Sequence, residues 1–335
     1  MSASGRTIVT GGAGFIGSNL IAALNARGAD DVLIVDRLGR SSKWTNLVPL
    51  RYADYVESED FLERFEAGQS AYGKIDTIFH FGACSATTES DATYLVHNNF
   101  EYSKRIARAA LERGTRFVYA SSAATYGARE HDLRESIPTH DLRPLNMYGY
   151  SKMMFDAYAE RNSWLGRIVG LKFFNIFGPG EAHKGDMRSL VHKAFGEIRA
   201  TGRVRLFKSY KPEFADGGQK RDFLYVDDAV AMALHLAATP SANGLFNIGS
   251  GEARTWVELV TPIFATLGKP VAIDYVDMPD SIREKYQYYT RAELARLRAS
   301  GYDAAITPLG DAVSRYVRLL AGDEPIPALR SVRAS

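Results

Sequence analysis

The chain has 335 residues and a single cysteine, Cys84. One thiol excludes an internal disulfide framework and any zinc site built on cysteines, and it suits a reducing compartment. There is no run of about 18 apolar residues, and Met1 to Thr10 enter a strand directly without a basic segment and a long apolar one. The expectation is therefore a cytoplasmic protein without a membrane span. Charge of either sign is also scarce in net terms: the formal value is +2, with Lys and Arg spread through the chain. That balance argues against a nucleic-acid or membrane surface and for small-molecule partners. His80, His97, His131 and His140 have no ligand-like spacing, so no metal site is expected. Neither an internal repeat nor a low-complexity linker interrupts a chain that is 46% hydrophobic and 24% charged, the balance of a globular protein of one large domain or two modest ones.

What is present begins with Tyr148 and Lys152, four residues apart at the start of an amphipathic run. On a helix they share a face, so a phenol and an ammonium become neighbours. Lowering a tyrosine pKa from roughly 10 to roughly 7 takes about 4 kcal/mol, which one lysine and a cationic cofactor ring would supply together. The plain alternative is a surface contact. Ser122 ends the strand Phe117 to Ala120 and precedes Tyr148 by 26 residues, the interval that crosses a loop into the next helix. Its hydroxyl would bond a substrate oxygen beside the phenol; otherwise it is a turn residue.

Nearer the amino terminus, the strand Arg6 to Thr10 runs into glycines at 11, 14 and 17 and then a helix to about Arg27. Gly11 permits a tight turn, Gly14 lets the backbone approach a pyrophosphate, Gly17 lets helix and strand pack closely, and the free amides of the helix start face the phosphates. A second strand ends in Asp36, 19 residues after Gly17, which completes a dinucleotide-binding pattern. Asp36 would accept from the adenosine ribose of NAD, while Arg37, Arg40 and Lys43 would hold the extra phosphate of NADP. Three cations against one carboxylate favour NADP, with NAD the other reading. The strand Ile75 to His80 closes on Phe81, Gly82, Ala83, Cys84 and Ser85, small residues that form the cofactor's second wall. Cys84 has no paired base and reads as a small buried residue rather than a nucleophile. Asn98 and Asn99 open a helix beneath that wall and reach it by their side-chain amides.

Gly11, Gly14, Gly17, Ser122, Tyr148 and Lys152 match, position by position, the pattern of the extended short-chain dehydrogenase/reductase family, which the sequence resembles. The resemblance implies that Tyr148 is the acid/base, that Ser122 orients the reacting oxygen, and that Lys152 binds the nicotinamide ribose and depresses the phenol. Leu171 to Pro179 and Lys220 to Asp228 are similar to segments of family members that act on nucleotide-diphosphate sugars, implying a substrate contact at Asn175 and a pyrophosphate clamp at Arg221. A pair with Asp222 is the alternative for Arg221. Gly180 to Met187, with Phe81 to Ser85, Ser121 to Gly127 and Lys285 to Thr290, resembles a branch of epimerases that invert carbon 6 of an ADP-linked heptose destined for lipopolysaccharide; the match runs from about Thr7 to Leu320.

That branch implies one tightly bound NADP or NAD per subunit, contacted also by Phe15, Ile16, Asn98, Ile176 and Lys184. It implies substrate contacts at Asp186, Lys193, Phe207 and Tyr286, and a homo-oligomer, specifically a pentamer. Lys184 would be a second acid/base, with His183 a rival for that role and phosphate binding a rival role for Lys184. Asp186 stands where the commoner pattern has a small hydroxyl residue, Arg188 where it has a small one, and Leu206 to Gln219 differs in composition and length. Other readings remain. A UDP-sugar 4-epimerase would not need the Lys184 insert, a 4,6-dehydratase would want an Asp-Glu pair where Ala123 and Ala124 stand, and a cofactor-sensing binding protein would need no intact Ser122, Tyr148 and Lys152. The expected fold is α/β: a Rossmann-like doubly wound parallel sheet over residues 1–175, with returns near 222–250, and a smaller substrate-binding domain made mainly of 176–330.

Overall fold

The structure is a computed structural model that describes residues 5–67, 72–283 and 286–323. Lys285, one of the residues carrying the resemblance, lies outside them. Seven strands form one sheet: Arg6–Thr10 (β1), Val32–Asp36 (β2), Asp54–Glu57 (β3), Ile75–His80 (β4), Arg116–Ser122 (β5), Val169–Phe173 (β6) and Gly244–Ile248 (β10). Their order is β10-β6-β5-β4-β1-β2-β3, and every pairing is parallel. The α/β doubly wound reading is therefore correct. The order reverses at β1, whose two neighbours are β2 and β4. Chains leaving β1 and β4 diverge there, and such a switch point opens a crevice at the carboxyl ends of the strands.

Alternation along the strands decides which layer each side chain enters. Ile8, Leu33 and Val35 pack with Phe61, Ile106, Phe117 and Phe155, beneath helices Ser58–Glu66 (α2), 92–112 (α3) and Met147–Arg161 (α4). Val9 and Ile34 face the other way, onto Leu20 and Ile21 of Phe15–Ala26 (α1) and Val230 and Ala233 of Val226–Ala238 (α6). Both faces are covered, which is why the strands read as continuous apolar runs.

The remaining strands make two small sheets. Asn175–Phe177 (β7), Lys220–Tyr225 (β9) and Ala253–Thr255 (β11) form one; Val204–Phe207 (β8) and Ile273–Val276 (β12) form the other. Of the segments expected to return to the large domain, β9 pairs with β7 and β11 in the three-stranded sheet, α6 from Val226 onward packs on the main sheet, and β10 joins that sheet as a strand. Leu190–Thr201 (α5), Trp256–Thr266 (α7) and Leu309–Ala321 (α8) enclose a separate core of Val191, Ile198, Leu206, Ile263, Val313 and Val317. The α7 start is set by a reciprocal capping box between Thr255 and Glu258. Asp222 ties the two parts together. Its buried carboxylate accepts from the amides of Ser250 (2.6 Å), Gly251 (2.9 Å) and Ala292 (2.9 Å). Among the described residues no helix is long and apolar enough to cross a membrane.

Candidate active site

A cleft of about 1060 Å³ opens at the switch point and continues between the main sheet and the smaller sheets. The glycine loop forms one end of it. Gly11 has φ +70°, a left-handed conformation, and a Cβ built on Gly17 would stand 2.1 Å from the Gly11 carbonyl oxygen. No side chain could replace either hydrogen without moving the backbone. The α1 N-terminus that follows has neither a side-chain cap nor an acidic residue in its first turn, so its dipole and first amides are left for an anion. The loop thus fits the pyrophosphate of a dinucleotide. Gly82 and Ala83, at the end of β4, form the facing wall.

Asp36 is buried and already well supplied with donors. It accepts from the Ala13 amide (2.9 Å), the Arg37 amide (2.7 Å) and the Lys43 ammonium (2.7 Å). Arg37 turns away, pairing with Glu59 and donating to Asn98 Oδ1 at 3.1 Å in a separate, smaller hollow. Arg40 is exposed. Of the three cations read as phosphate ligands, Lys43 is the one that lines the cleft.

Asn98 and Asn99 do not open a helix. The helix starts at Ala92, capped by Asp91, and Val96–Glu101 winds as a π-turn within it. The wider turn rotates Asn99 inward, where it is buried. Its side chain accepts from the Cys84 amide (2.8 Å) and donates to the Cys84 carbonyl (3.0 Å) and Ser151 Oγ (3.0 Å). Asn98 instead meets Arg37 and Asn99, and neither Asn98, Arg37 nor Cys84 lines the cleft.

Ser122, Tyr148 and Lys152 do come together in it. Asn146 caps α4 by accepting from the Gly149 amide at 2.8 Å, which sets the first turn and puts Tyr148 on its inner face. Ser122 stands beside the Tyr148 phenol and favours its ionised form, but burial dominates and raises the phenol above its ordinary value. The expected lowering is therefore not a property of the protein alone. The Lys152 ammonium donates to the Ala120 carbonyl at 2.9 Å, and burial brings its own pKa down to about 8. Asp156, one turn further on, pulls the other way. That carboxylate is fully buried, with Lys172 (2.8 Å), Tyr119 (2.8 Å) and Ser121 (2.7 Å) as its donors. Lys172 also donates to Thr125 Oγ1 at 2.6 Å, so the strand end carrying Ser122 and the helix carrying Lys152 share one network.

Lys184 enters the cleft from a 3-10 turn, Ala182–Met187, kinked at Gly185. Its ammonium lies 5.5 Å from the centre of the Phe15 ring, and burial lowers its pKa while Glu181 raises it. His183 sits beside it, with Asn46 at 3.4 Å from Nδ1. The far part of the cleft holds Asn175, Asp186, Lys193, Phe207, Arg221 and Tyr286. Asn175 is exposed and donates to the Asp222 carbonyl at 3.1 Å; Lys193 reaches the Asp186 carbonyl at 3.4 Å. The Arg221 guanidinium stacks 4.9 Å from the Tyr286 ring and 5.8 Å from Trp256, whose indole donates to the Tyr286 hydroxyl at 2.8 Å. Asp222 is committed to backbone amides, so Arg221 presents its charge to the cleft rather than to its neighbour. Sequence reading missed Asn146, Trp256 and Arg205 as lining residues. Asn146 was open to discovery as a cap two residues before Tyr148; the other two belong to no local pattern. Among the described residues no group of three or more His, Cys, Asp or Glu could hold a metal ion.

Glycine loop, strand-end serine and Tyr-x-x-x-Lys in one crevice define a nicotinamide-dependent enzyme, and residues 7–249 match the model of the NAD dependent epimerase/dehydratase family, to which the chain belongs. Within that class, relatives that match nearly the whole chain in sequence carry one name. The ADP-L-glycero-D-manno-heptose-6-epimerase of Nitratidesulfovibrio vulgaris (strain Hildenborough) is 48% identical over 320 residues, covering 95% of this chain and 99% of that protein. The protein of the same name from Alkalilimnicola ehrlichii is 43% identical over 316 residues, covering 94% and 97%. Among solved structures, the ADP-L-glycero-D-manno-heptose-6-epimerase of Helicobacter pylori superimposes with a TM-score of 0.80 at 25% identity, covering 95% of this chain and 96% of that one.

Proposed function

We propose that this protein is an isomerase that interconverts ADP-D-glycero-β-D-manno-heptose and ADP-L-glycero-β-D-manno-heptose by inverting carbon 6, on the path that supplies heptose for lipopolysaccharide. One observation carries the reading: two groups able to take and return a proton, Tyr148 and Lys184, enter one cleft from different elements, with Ser122 lining it beside the phenol. The relatives at 43% and 48% identity support the substrate.

Carbon 6 carries no acidic hydrogen, so that hydrogen leaves and returns as hydride, which is the chemistry a bound nicotinamide supplies. The chain's own residues handle the rest. Tyr148 takes the hydroxyl proton in one orientation of the substrate, Ser122 holds the oxygen, and the oxidised substrate is a ketone. Rotation about the bond to carbon 5 presents the opposite face, and Lys184 returns a proton to the oxygen there, so hydride and proton are both restored. Arg221, stacked on Tyr286, clamps the pyrophosphate with its planar fork. Lys152 binds the nicotinamide ribose.

The adenosine end favours NADP. Asp36 already accepts three hydrogen bonds and is neutralised by Lys43, so it neither needs ribose hydroxyls nor repels a phosphate beside it. We expect NADP to be retained through purification, in a cytoplasmic homo-oligomer, a pentamer by light scattering. The test of function is incubation without added cofactor with ADP-D-glycero-D-manno-heptose and, in parallel, UDP-glucose, following carbons 6 and 4 by proton NMR. Epimerisation of the heptose alone supports the reading; reaction of UDP-glucose alone replaces it with a 4-epimerase.

A further inference from the structure

Glu181 is only 1% exposed, and nothing in the mechanism above uses it. A buried carboxylate requires donors, and its donors lie at the far end of the loop that carries Lys184. It accepts from the Ser189 amide at 2.5 Å and the Ser189 hydroxyl at 2.6 Å, and it faces the buried Tyr316 phenol of α8. Ser189 in turn is the N-cap of α5, accepting from the His192 amide at 3.3 Å. The carbonyl of Glu181 accepts from the Lys184 amide at 3.0 Å. One residue thus closes the loop 181–189, anchors it to α5, and begins the turn that aims Lys184.

The loop entrance is held separately, from the dinucleotide side. Asn19 donates to the Pro179 carbonyl at 2.8 Å, and Asn46 donates to the carbonyls of Gly180 and Ala13, both at 3.0 Å. Those bonds fix where the loop starts; Glu181 fixes where it ends. The negative charge at the start of α5 is also favourable to that helix. Around Lys184 the charged neighbours are Glu181 and His183, with Lys43 and Asp36 beyond the histidine. Around Glu181 they are Lys184, Arg188, His192 and the Tyr316 phenol; Asp186 lies two residues past the lysine.

We propose that Glu181 is a positioning residue for Lys184, holding the lysine in reach of the substrate oxygen through its side-chain bonds to Ser189 and its backbone bond to the Lys184 amide. This rests on Lys184 acting as the second acid/base.

The experiment measures kcat, KM and the pH profile of ADP-heptose epimerisation for the full-length protein and its Glu181→Gln, Ser189→Ala and Lys184→Met variants, with bound nicotinamide quantified in each. Displacing an acid/base by even 1 Å costs on the order of 10²-fold, so Glu181→Gln should lower kcat by about 10- to 100-fold with KM changed less than about three-fold. The limb of the profile that disappears in Lys184→Met should move to lower pH in Glu181→Gln, because the carboxylate favours the ammonium, whereas a merely structural carboxylate would leave that limb in place. Ser189→Ala keeps the charge; kcat should fall by about three- to ten-fold with the limb unmoved. If Glu181→Gln does not fold, an unchanged kcat in Ser189→Ala overturns the proposal. Wild-type kcat and limb in a folded Glu181→Gln, beside an inactive Lys184→Met, overturn it and leave the two-base mechanism standing. Full activity in Lys184→Met removes that mechanism and this inference with it.

Discussion

The two sides of the cleft that carry Tyr148 and Lys184 are built by different means. On one side Ser122 ends a strand locked in a parallel ladder, and Tyr148 and Lys152 occupy the first turns of a helix that packs on the same sheet. Their positions follow from backbone periodicity and a close-packed core. On the other side Lys184 rides a short turn that belongs to no sheet and is held by the side chains of Asn19, Asn46 and Glu181. A group placed by regular backbone is insensitive to most single substitutions around it. A group placed by a few side chains is adjustable, and each of those side chains becomes a point of failure.

The comparison can be broken most directly at Tyr148. Tyr148→Phe should cut the epimerisation rate by about 10³- to 10⁴-fold, the upper range for loss of a general acid/base, while nicotinamide binding and the unfolding midpoint hold. An NMR time course that shows this variant more active than Lys184→Met would reverse the ranking of the two sides. On the helix side the supporting pair should be worth more to the fold than to the rate. Lys172→Met strands the Asp156 carboxylate in the core and should cost about 3–5 kcal/mol in urea unfolding.

Lys184→Met should lower kcat by about 10²- to 10³-fold. Because burial disfavours its charge, removing Lys184 should leave the urea midpoint equal or higher, in contrast to Lys172. A drop in midpoint as large as that of Lys172→Met would show the turn to be part of the core and dissolve the distinction.

The smallest effect concerns His80, at the floor of the dinucleotide wall. Its ring, between Thr10 Oγ1 (2.7 Å) and Ser103 Oγ (2.8 Å), has its pKa driven by burial from 6.5 to about 3. The unfolded chain takes that proton near 6.5 and the folded one does not. Stability is therefore complete above pH 6.5 and declines as the pH falls toward 3, by about 1.4 kcal/mol per unit for this one proton. In His80→Gln that share of the slope between pH 6 and 4 should vanish; an unaltered slope would mean the ring is not the group responsible.

Much of the helix side was legible because its information is local. Gly11, Gly14, Gly17, Asp36, Ser122 and Tyr148 sit at intervals that strand, turn and helix geometry dictate, and the all-parallel sheet follows from strands that are apolar throughout. The rest depended on partners far away in sequence. Nothing near Arg37 announces that Glu59 will draw it out of the cleft, and nothing near Asn99 announces the π-turn that gives it, rather than Asn98, the grip on Cys84. The upward shift of the Tyr148 phenol was also out of reach, since it depends on burial in the folded chain. Lys184 was picked out only through resemblance, and Glu181 not at all as its support, because Ser189 and Tyr316 meet it only in the folded chain.

The late arrival of β10 at the sheet edge has a consequence during synthesis. Strand β6 is complete at Phe173, but the segment that covers its open edge is Gly244–Ile248. Until that stretch leaves the ribosome, a row of amides and carbonyls faces water with no partner, the arrangement that invites pairing with another chain. Translation at about 5–20 residues per second leaves that edge bare for several seconds. The nascent chain at residue 240 has thus made every strand of the large sheet but the one that pairs with β6, and in this interval the β6 edge is open to pairing with another chain.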